Sequence, residues 1–253
     1  SEQILAVDPD VIFYYGEPSR ADTLQSQTAS PVVGLRIVDV TDDRARRTMY
    51  ETWRLVGTVL GTAKRAERLV SFFEATIADL RDRTESISLE DRREAYAGAI
   101  NYKGAHGIAT TRKRFPPFRW THVENIASSI GIEAPSVQVS VEQLLAWDPR
   151  TMFVSSANLG VVREDVAANP AYTDITAIAD DRTYSILPHA NYHHNYGSIL
   201  TNAYFVGKTV YPDHFKDISL SSRCNDIFGT LLEASLYDEL TDRNEAFKRL
   251  ELE

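Results

Sequence analysis

The sequence contains an internal repeat, and this feature limits the possible folds more than any other. Residues 2–9, Glu-Gln-Ile-Leu-Ala-Val-Asp-Pro, match residues 142–149, Glu-Gln-Leu-Leu-Ala-Trp-Asp-Pro, with a constant offset of 140 (142 − 2). Proline disfavours the helical conformation in the residue before it, so each copy predicts a short helix that ends at the Asp-Pro pair. A repeat of this kind indicates two copies of one structural unit.

The two copies stay in step further along the chain. Each pair of matching segments predicts the same element: strands at 11–14 and 151–154, strands at 31–35 and 183–187, and helix ends at 55–61 and 204–210. Strands that alternate with helices are typical of parallel sheets. We therefore predict an α/β protein with two similar Rossmann-like lobes.

The second copy is preceded by segments that have no counterpart in the first. Residues 93–100 predict a strand and residues 123–130 predict a helix, whereas the first copy has nothing before Ser1. We therefore expect the first lobe to be truncated at its N-terminus. The natural precursor is expected to carry further folded residues and an export signal ahead of Ser1.

A long helical stretch separates the two copies. Neither Gly nor Pro occurs from Thr62 to Ala97, and apolar residues at positions 69, 73, 77 and 80 form a helical stripe. This pattern predicts three parts of the chain: a partial N-terminal lobe at 1–61, a connecting helix and linker at 62–92, and a C-terminal lobe at 93–253.

Charge and motif content argue against several classes of protein. The formal net charge is −9, which makes the chain a poor general ligand for nucleic acid because the phosphates repel it. No apolar run reaches the roughly 18 to 20 residues that span a bilayer. The sequence has no Gly-x-Ser-x-Gly, phosphate-loop or Gly-x-Gly-x-x-Gly motif. No catalytic residue is therefore predicted.

One group of candidate ligand-binding residues lies in the loop at 101–120. Parallel α/β sheets bind ligands at the carboxyl ends of their strands, and this loop follows the predicted strand at 93–100. Its cationic and aromatic residues suit an anionic, flat or metal-chelating ligand. The candidates are Tyr102, Lys103, His106, Arg112, Arg114 and Trp120.

The other candidates also follow predicted strands. They are Tyr14 and Tyr15 in the first copy, Asn158 in the small polar loop 155–160, and Asn191, Tyr192, His193 and His194 in the loop 188–196. Imidazole and phenolate can bind metal ions, but no metal-binding spacing is present. Direct metal ligation, contact with an organic ligand and a purely structural role all remain open for the histidine-rich loop.

A series of short motifs adds information through its order. Residues 2–12 and Gly57–Gly61 come before the long helix; Tyr102–Gly107, Phe115–Phe118, Glu124–Ala127 and Asn202–Lys208 follow it. From Glu2 to about Leu250, this series resembles the periplasmic-binding-protein family of iron-siderophore, haem and cobalamin ABC importers, of the type with a rigid helix between the lobes.

The resemblance implies two α/β lobes joined by one long helix, with a small-molecule metal chelate in the cleft between them. It implies an extracytoplasmic protein, periplasmic or lipid-anchored, that delivers its ligand to the membrane permease of an ABC transporter and catalyses no reaction. The expected ligand is a ferric siderophore, haem or a corrinoid. We expect a monomer with no cofactor, no protein-built metal site and no nucleic-acid partner.

Two other functions are compatible with a two-lobed α/β protein. A metal-dependent enzyme of the chelatase kind would use His193 or His194 at a metal ion, but cysteine-ligand and nucleotide-binding signals are missing. A binder of bare zinc or manganese would need His, Asp and Glu to converge, whereas the loops carry Arg and aromatic residues. The importer subunit is therefore the preferred interpretation.

Overall fold

A computed structural model describes residues 2–101, 104, 106–132, 134–190 and 193–252. The chain divides into two compact units, Ser1–Arg68 and Leu69–Glu253, and the boundary falls within a long helix. Among the residues described, no helix combines the length and the apolar character needed to cross a membrane.

The first unit is built around a parallel pair of strands. Its elements are α1 (Glu2–Val7), β1 (Ile12–Tyr14), α2 (Pro18–Thr28), β2 (Val32–Gly34), α3 (Asp43–Val59) and the start of α4 (Ala63–Thr84). The side chain of Asp42 accepts a hydrogen bond from the Ala45 amide at 2.8 Å and so begins α3. At Gly57 a Cβ would lie 2.6 Å from the Ala66 Cβ, so α3 can approach α4 this closely because residue 57 is glycine.

The second unit contains a larger, separate sheet. Its elements are the rest of α4, β3 (Glu94–Gly98), β4 (Thr110–Thr111), α5 (Pro116–Trp120), β5 (Glu124–Asn125), β6 (Val137–Gln138), α6 (Val141–Trp147), β7 (Met152–Ser155), α7 (Leu159–Ala168), α8 (Thr176–Ala179), β8 (Thr183–Ile186), α9 (Tyr196–Val210), α10 (Leu220–Leu232) and α11 (Tyr237–Asn244). The four-stranded sheet has the order β5-β3-β7-β8 with every pairing parallel, and β4 pairs with β6 in antiparallel fashion.

The core of the second unit lies on both faces of this sheet. Successive strand residues point to opposite faces. Met152 and Val154 of β7 therefore pack in one apolar cluster with Leu144 of α6. Phe153 points the other way, and its ring lies 5.7 Å from the ring of Phe118 and 6.1 Å from that of Phe205. Helices α5 and α9 thus cover the face opposite to α6.

The predicted α/β fold class is confirmed. The two predicted short helices are also present, and each ends at its Asp-Pro pair. Asp8 and Asp148 both adopt left-handed backbone conformations, with φ of 46° and 43°. Each follows directly after its helix, α1 or α6, and precedes a proline. The repeat at 140 residues therefore marks the same helix end twice.

The predicted helix at 123–130 is wrong. Glu124 instead belongs to β5, because its amide donates to the Arg93 carbonyl at 2.9 Å. The side chain of the next residue, Asn125, caps a single 3-10 turn at Ile126–Ser129. The predicted apolar stripe of the connecting segment is wrong at one position. Leu69, which the stripe includes, is only half-buried, whereas its neighbour Val70 is buried.

A polar network holds the second half of α4 to its own unit. The buried Tyr204 of α9 donates its hydroxyl hydrogen to Asp79 Oδ2 at 2.5 Å, and Arg223 of α10 donates to the same hydroxyl oxygen at 2.5 Å. One turn along α4, Arg83 donates to Asp79. It also forms a bidentate ion pair with Asp217, with hydrogen bonds of 2.7 and 2.9 Å. Three helices are thus joined through one tyrosine hydroxyl.

We expect the substitution Tyr204→Phe to lower the free energy of unfolding by roughly 1.5 to 3 kcal/mol, because hydrogen bonds to charged groups contribute about that much. Urea denaturation of the whole chain measures the change. Tyr172→Phe is the matched control, since this tyrosine is also buried, at 5% exposure, and its hydroxyl makes no hydrogen bond to a described residue. Equal losses in the two variants would contradict the assignment.

The end of α4 contacts His122, and the burial of this histidine makes stability depend on pH. His122 Nδ1 lies 2.8 Å from Thr84 Oγ1, and burial, together with the charges of Arg92 and Arg81, lowers the pKa of His122. The unfolded chain then binds this proton more tightly than the folded chain. The stabilising contribution is complete above the ordinary histidine pKa of about 6.5 and is lost as the pH falls below it.

We expect His122→Asn to reduce the loss of thermal stability between about pH 7.5 and about pH 5.5. Asparagine tolerates the left-handed backbone at this position, where φ is 49°, so the exchange tests the imidazole and not the backbone. Differential scanning fluorimetry at both pH values gives the result.

Candidate functional site

The carboxyl edge of the four-stranded sheet brings most of the predicted site segments of the second unit together. Strands β3, β7 and β8 run in parallel, so the segments that follow them emerge at the same edge. The edge-on ring contact between Phe115 and His189, with centroids 5.3 Å apart, shows that the loops at 101–120 and 188–196 meet.

Asn158 is a structural link at this edge. It is buried, and its amide nitrogen donates to the Ala99 carbonyl at 2.8 Å and to Asn101 Oδ1 at 2.6 Å. Both amide hydrogens are therefore used to hold the segment after β3 against the start of α7. The hydroxyl of Tyr96 donates to the Ile108 carbonyl at 3.1 Å and fixes the far end of the same segment.

Three buried polar atoms near the start of α7 have no hydrogen-bond partner among the described residues. They are Ser155 Oγ, Ser156 Oγ and Asn158 Oδ1. A buried polar group without a partner costs roughly 1 to 3 kcal/mol, so such groups usually meet water or a ligand. The backbone amides at the start of a helix add further donors for an anion. The two serine hydroxyls and the helix amides can therefore donate to the oxygen atoms of a ligand, whereas Asn158 Oδ1 can only accept a hydrogen bond.

The cationic residues of the loop at 101–120 differ in exposure. Arg112 is buried, and its carbonyl accepts a hydrogen bond from Asn125 Nδ2 at 2.9 Å. Arg114 is exposed and Lys113 is half-buried. Positions 112 to 114 therefore offer one buried arginine, one half-buried lysine and one exposed arginine.

The histidine-rich loop is held by its own backbone. The Asn195 amide donates to the His189 carbonyl at 2.8 Å, and Ala190 and His194 form an isolated bridge. His189 is buried, His194 is half-buried and stacks on Tyr196 at 6.4 Å, and His193 is exposed. The three histidines therefore lie in three different environments, and only His193 is on the surface.

Several predicted site residues have a different placement or cannot be placed. Tyr102, Lys103, Asn191 and Tyr192 lie outside the described residues. His106 is half-buried in the segment after β3. In the first unit, Tyr14 is half-buried at the carboxyl end of β1, and Tyr15 after it is 53% exposed.

Trp120 requires a correction, because its side chain belongs to the core. It is 0% exposed, and its ring makes an edge-on contact with Phe73 of α4 at 6.1 Å. The Pro-Pro pair begins α5, since proline suits the first turn of a helix, and this short helix turns the tryptophan inward. Trp120 cannot stack on a bound ligand without leaving the core.

Asp165 is a residue at this edge that sequence reasoning missed. Its Oδ2 accepts a hydrogen bond from the Ile108 amide at 2.9 Å, and Gly107 leaves the room for it, since a Cβ there would lie within 1.9 Å of that oxygen. The glycine at position 107 was the one sequence feature that could have indicated a close approach of another side chain to this loop. Among the residues the structure describes, no group of three His, Cys, Asp or Glu side chains is placed to hold a metal ion.

Comparisons with known proteins agree with this architecture. The family described as "Periplasmic binding protein" matches residues 1–190. The uncharacterized ABC transporter substrate-binding lipoprotein YvrC of Bacillus subtilis is 19% identical over 216 residues, which are 85% of this chain and 66% of YvrC. The molybdate-binding protein MolA of Haemophilus influenzae is 24% identical over 251 residues, covering 90% of this chain and 68% of MolA.

Solved structures show the same fold at low identity. The structure of MolA bound to molybdate has a TM-score of 0.70 at 21% identity, over 92% of this chain and 75% of that one. A periplasmic solute binding protein from Veillonella parvula has a TM-score of 0.72 at 17% identity, over 96% and 74% of the two chains.

The present chain spans about two thirds of the length of the curated relatives, 66% and 68%. The family is one of extracytoplasmic proteins, either periplasmic or lipid-anchored. Because the family match covers most of the sequence and the fold agrees with it, the chain belongs to the periplasmic binding protein family.

Proposed function

We propose that this chain is the ligand-capturing part of an ABC importer and that its ligand is an anionic metal complex, a ferric siderophore or haem, or a corrinoid. The observation that carries the proposal is the set of cationic and polar side chains at the carboxyl edge of the sheet. The family supports a binding role, since its members described here are substrate-binding proteins and not enzymes.

Charge supports an anionic ligand. The whole chain carries a net charge of −9, yet Arg112, Lys113 and Arg114 come together in one loop at this edge. Guanidinium groups bind carboxylate and catecholate oxygens through paired hydrogen bonds. A buried guanidinium such as that of Arg112 is less screened by solvent than an exposed one, so its attraction for an anion is stronger.

The position of Trp120 changes how a flat ligand would be held. Because this ring is packed on Phe73, we expect Trp120→Ala to destabilise the protein and not to distinguish haem from citrate. Tyr196 and His194, stacked at 6.4 Å, are the aromatic pair that borders the histidine-rich loop. We propose His194 as a contact for the organic part of the ligand.

The proposed partner is the membrane permease of the importer, to which the loaded protein would deliver its ligand. We propose that the protein acts as a monomer. The division of the chain at 1–61, 62–92 and 93–253, and the roles of Tyr14, Tyr15, Tyr102, Lys103, Asn191 and Tyr192, stay predictions.

A small oxyanion is a second candidate ligand, and a specific observation favours it. Ser155 Oγ and Ser156 Oγ can each donate a hydrogen bond, and both lie without a partner in the described structure at the start of α7. The molybdate-binding protein MolA is similar to this chain over 90% of this chain and 68% of MolA. A tetrahedral oxyanion needs several short donors in a small space, and this segment supplies them.

We expect the exposed Arg114, changed to Ala, to weaken binding of the metal complex by about tenfold or more, because one charge-assisted hydrogen bond contributes roughly 1.5 to 3 kcal/mol. Titration calorimetry against ferric citrate, a ferric catecholate, haem and cobalamin measures it. Arg243→Ala is the control, since it removes an exposed charge of the same kind outside the candidate loops. Equal effects of the two variants would contradict a specific role for Arg114.

The double variant Ser155→Ala, Ser156→Ala separates the two ligand classes. If the ligand is an oxyanion, the unchanged protein binds molybdate, and the double variant binds it at least about tenfold more weakly through the loss of two donors. The exposed Ser86, changed to Ala, serves as the control. Binding of a metal chelate without binding of molybdate would eliminate the oxyanion candidate and leave the importer proposal in place.

A further inference from the structure

The amino edge of the four-stranded sheet carries a row of arginines. Each of the three adjacent strands β3, β7 and β8 has an arginine just before it: Arg93, Arg150 and Arg182 respectively. Because these strands run in parallel, the residues that precede them meet at one edge. Arg92 is next to Arg93, so four guanidinium groups belong to this edge. It is the edge opposite to the candidate ligand site.

The four arginines line one cleft. Its volume is about 720 Å³, and the apolar part of its wall includes Trp147 and Pro149 at the end of α6. Such a volume lies within the range of roughly 300 to 1,000 Å³ that small-molecule sites occupy. We call this space the basic cleft. Every residue that lines it belongs to the second unit.

Three carboxylates also line the basic cleft, but two of them have other partners. Glu124 accepts a hydrogen bond from Arg92 Nη1 at 3.2 Å. Both carboxylate oxygens of Asp148 are used by Thr176, at 2.8 Å from its amide and 2.9 Å from its hydroxyl. Glu94 is the third and is exposed. The charge of Arg92 is thus offset by Glu124 inside the cleft, and Arg93, Arg150 and Arg182 remain as three positive charges against Glu94 and the Thr176-bound Asp148.

The arginines have unused hydrogen-bonding capacity. No described carboxylate lies within ion-pairing distance of Arg93 or Arg150. The buried Arg92 Nε finds no acceptor in the described part of the chain. Arg182 is oriented by a hydrogen bond from Nη2 to Thr151 Oγ1 at 3.0 Å, which leaves its other donors available.

We propose that the basic cleft is a second ligand site, separate from the importer's solute site, and that it binds a phosphate-type oxyanion. Guanidinium groups bind phosphate oxygens in pairs, and several of them at one edge can surround such a group. The phosphate could be carried by a free small molecule or by the headgroup of an anionic lipid. The chemistry of recognition is the same for both sources.

The test compares the full chain with the double variant Arg93→Ala, Arg150→Ala. Both side chains are exposed and unpaired within the described structure, so the double variant is expected to fold. The matched control is Arg119→Ala, Arg243→Ala, which removes the same charge at exposed positions outside the basic cleft. Titration with inorganic phosphate at constant ionic strength examines the free anion. Sedimentation with phosphatidylcholine vesicles, with and without phosphatidylglycerol, examines the lipid.

We expect the unchanged protein and the control to bind one of the two probes and the Arg93/Arg150 variant to bind it at least about tenfold more weakly. Phosphate binding identifies a free anion, whereas binding only to phosphatidylglycerol vesicles identifies a lipid headgroup. Absence of binding to both probes, or an equal loss in the control, would overturn the proposal. Neither result bears on the importer's solute, which is assayed separately with metal complexes and molybdate.

Discussion

The parallel hydrogen-bonded ladder of β5, β3, β7 and β8 is the constraint on which the rest of this unit depends. The strands share one direction, so every segment that enters the sheet does so at one edge and every segment that leaves does so at the other. The cationic loop, the serines and the histidines are thereby separated from the arginines that precede the strands. One choice of strand direction creates two edges with different chemistry.

Much of this sheet could be predicted because parallel strands buried on both faces appear as short apolar runs. Met152 to Val154 is such a run, and its repeat partner in the first copy confirmed the pattern. The segment at Glu124 and Asn125 could not be predicted in the same way, since a strand of two residues has no periodicity. Its pairing with Arg93 depends on a partner that is distant in sequence.

The candidate site was less predictable, because residue type does not determine the direction of a side chain. The cationic and aromatic neighbours of Trp120 predict a ligand-facing side chain, yet the Pro-Pro pair before it begins a helix that turns it into the core. The close spacing of the aromatic residues at 115, 118 and 120 could have indicated a buried helix. The unpartnered hydroxyl groups of Ser155 and Ser156 depend on three-dimensional packing and leave no trace in the sequence.

The left-handed aspartates at 8 and 148 show how one backbone geometry can carry different side chains. Both copies keep the same backbone at the end of the helix, while the residue just before it is Val7 in one and Trp147 in the other. Val7 is 75% exposed, whereas Trp147 forms part of the wall of the basic cleft. The same backbone frame is thus used twice with different side chains beside it, and only in the second copy does that side chain line the basic cleft.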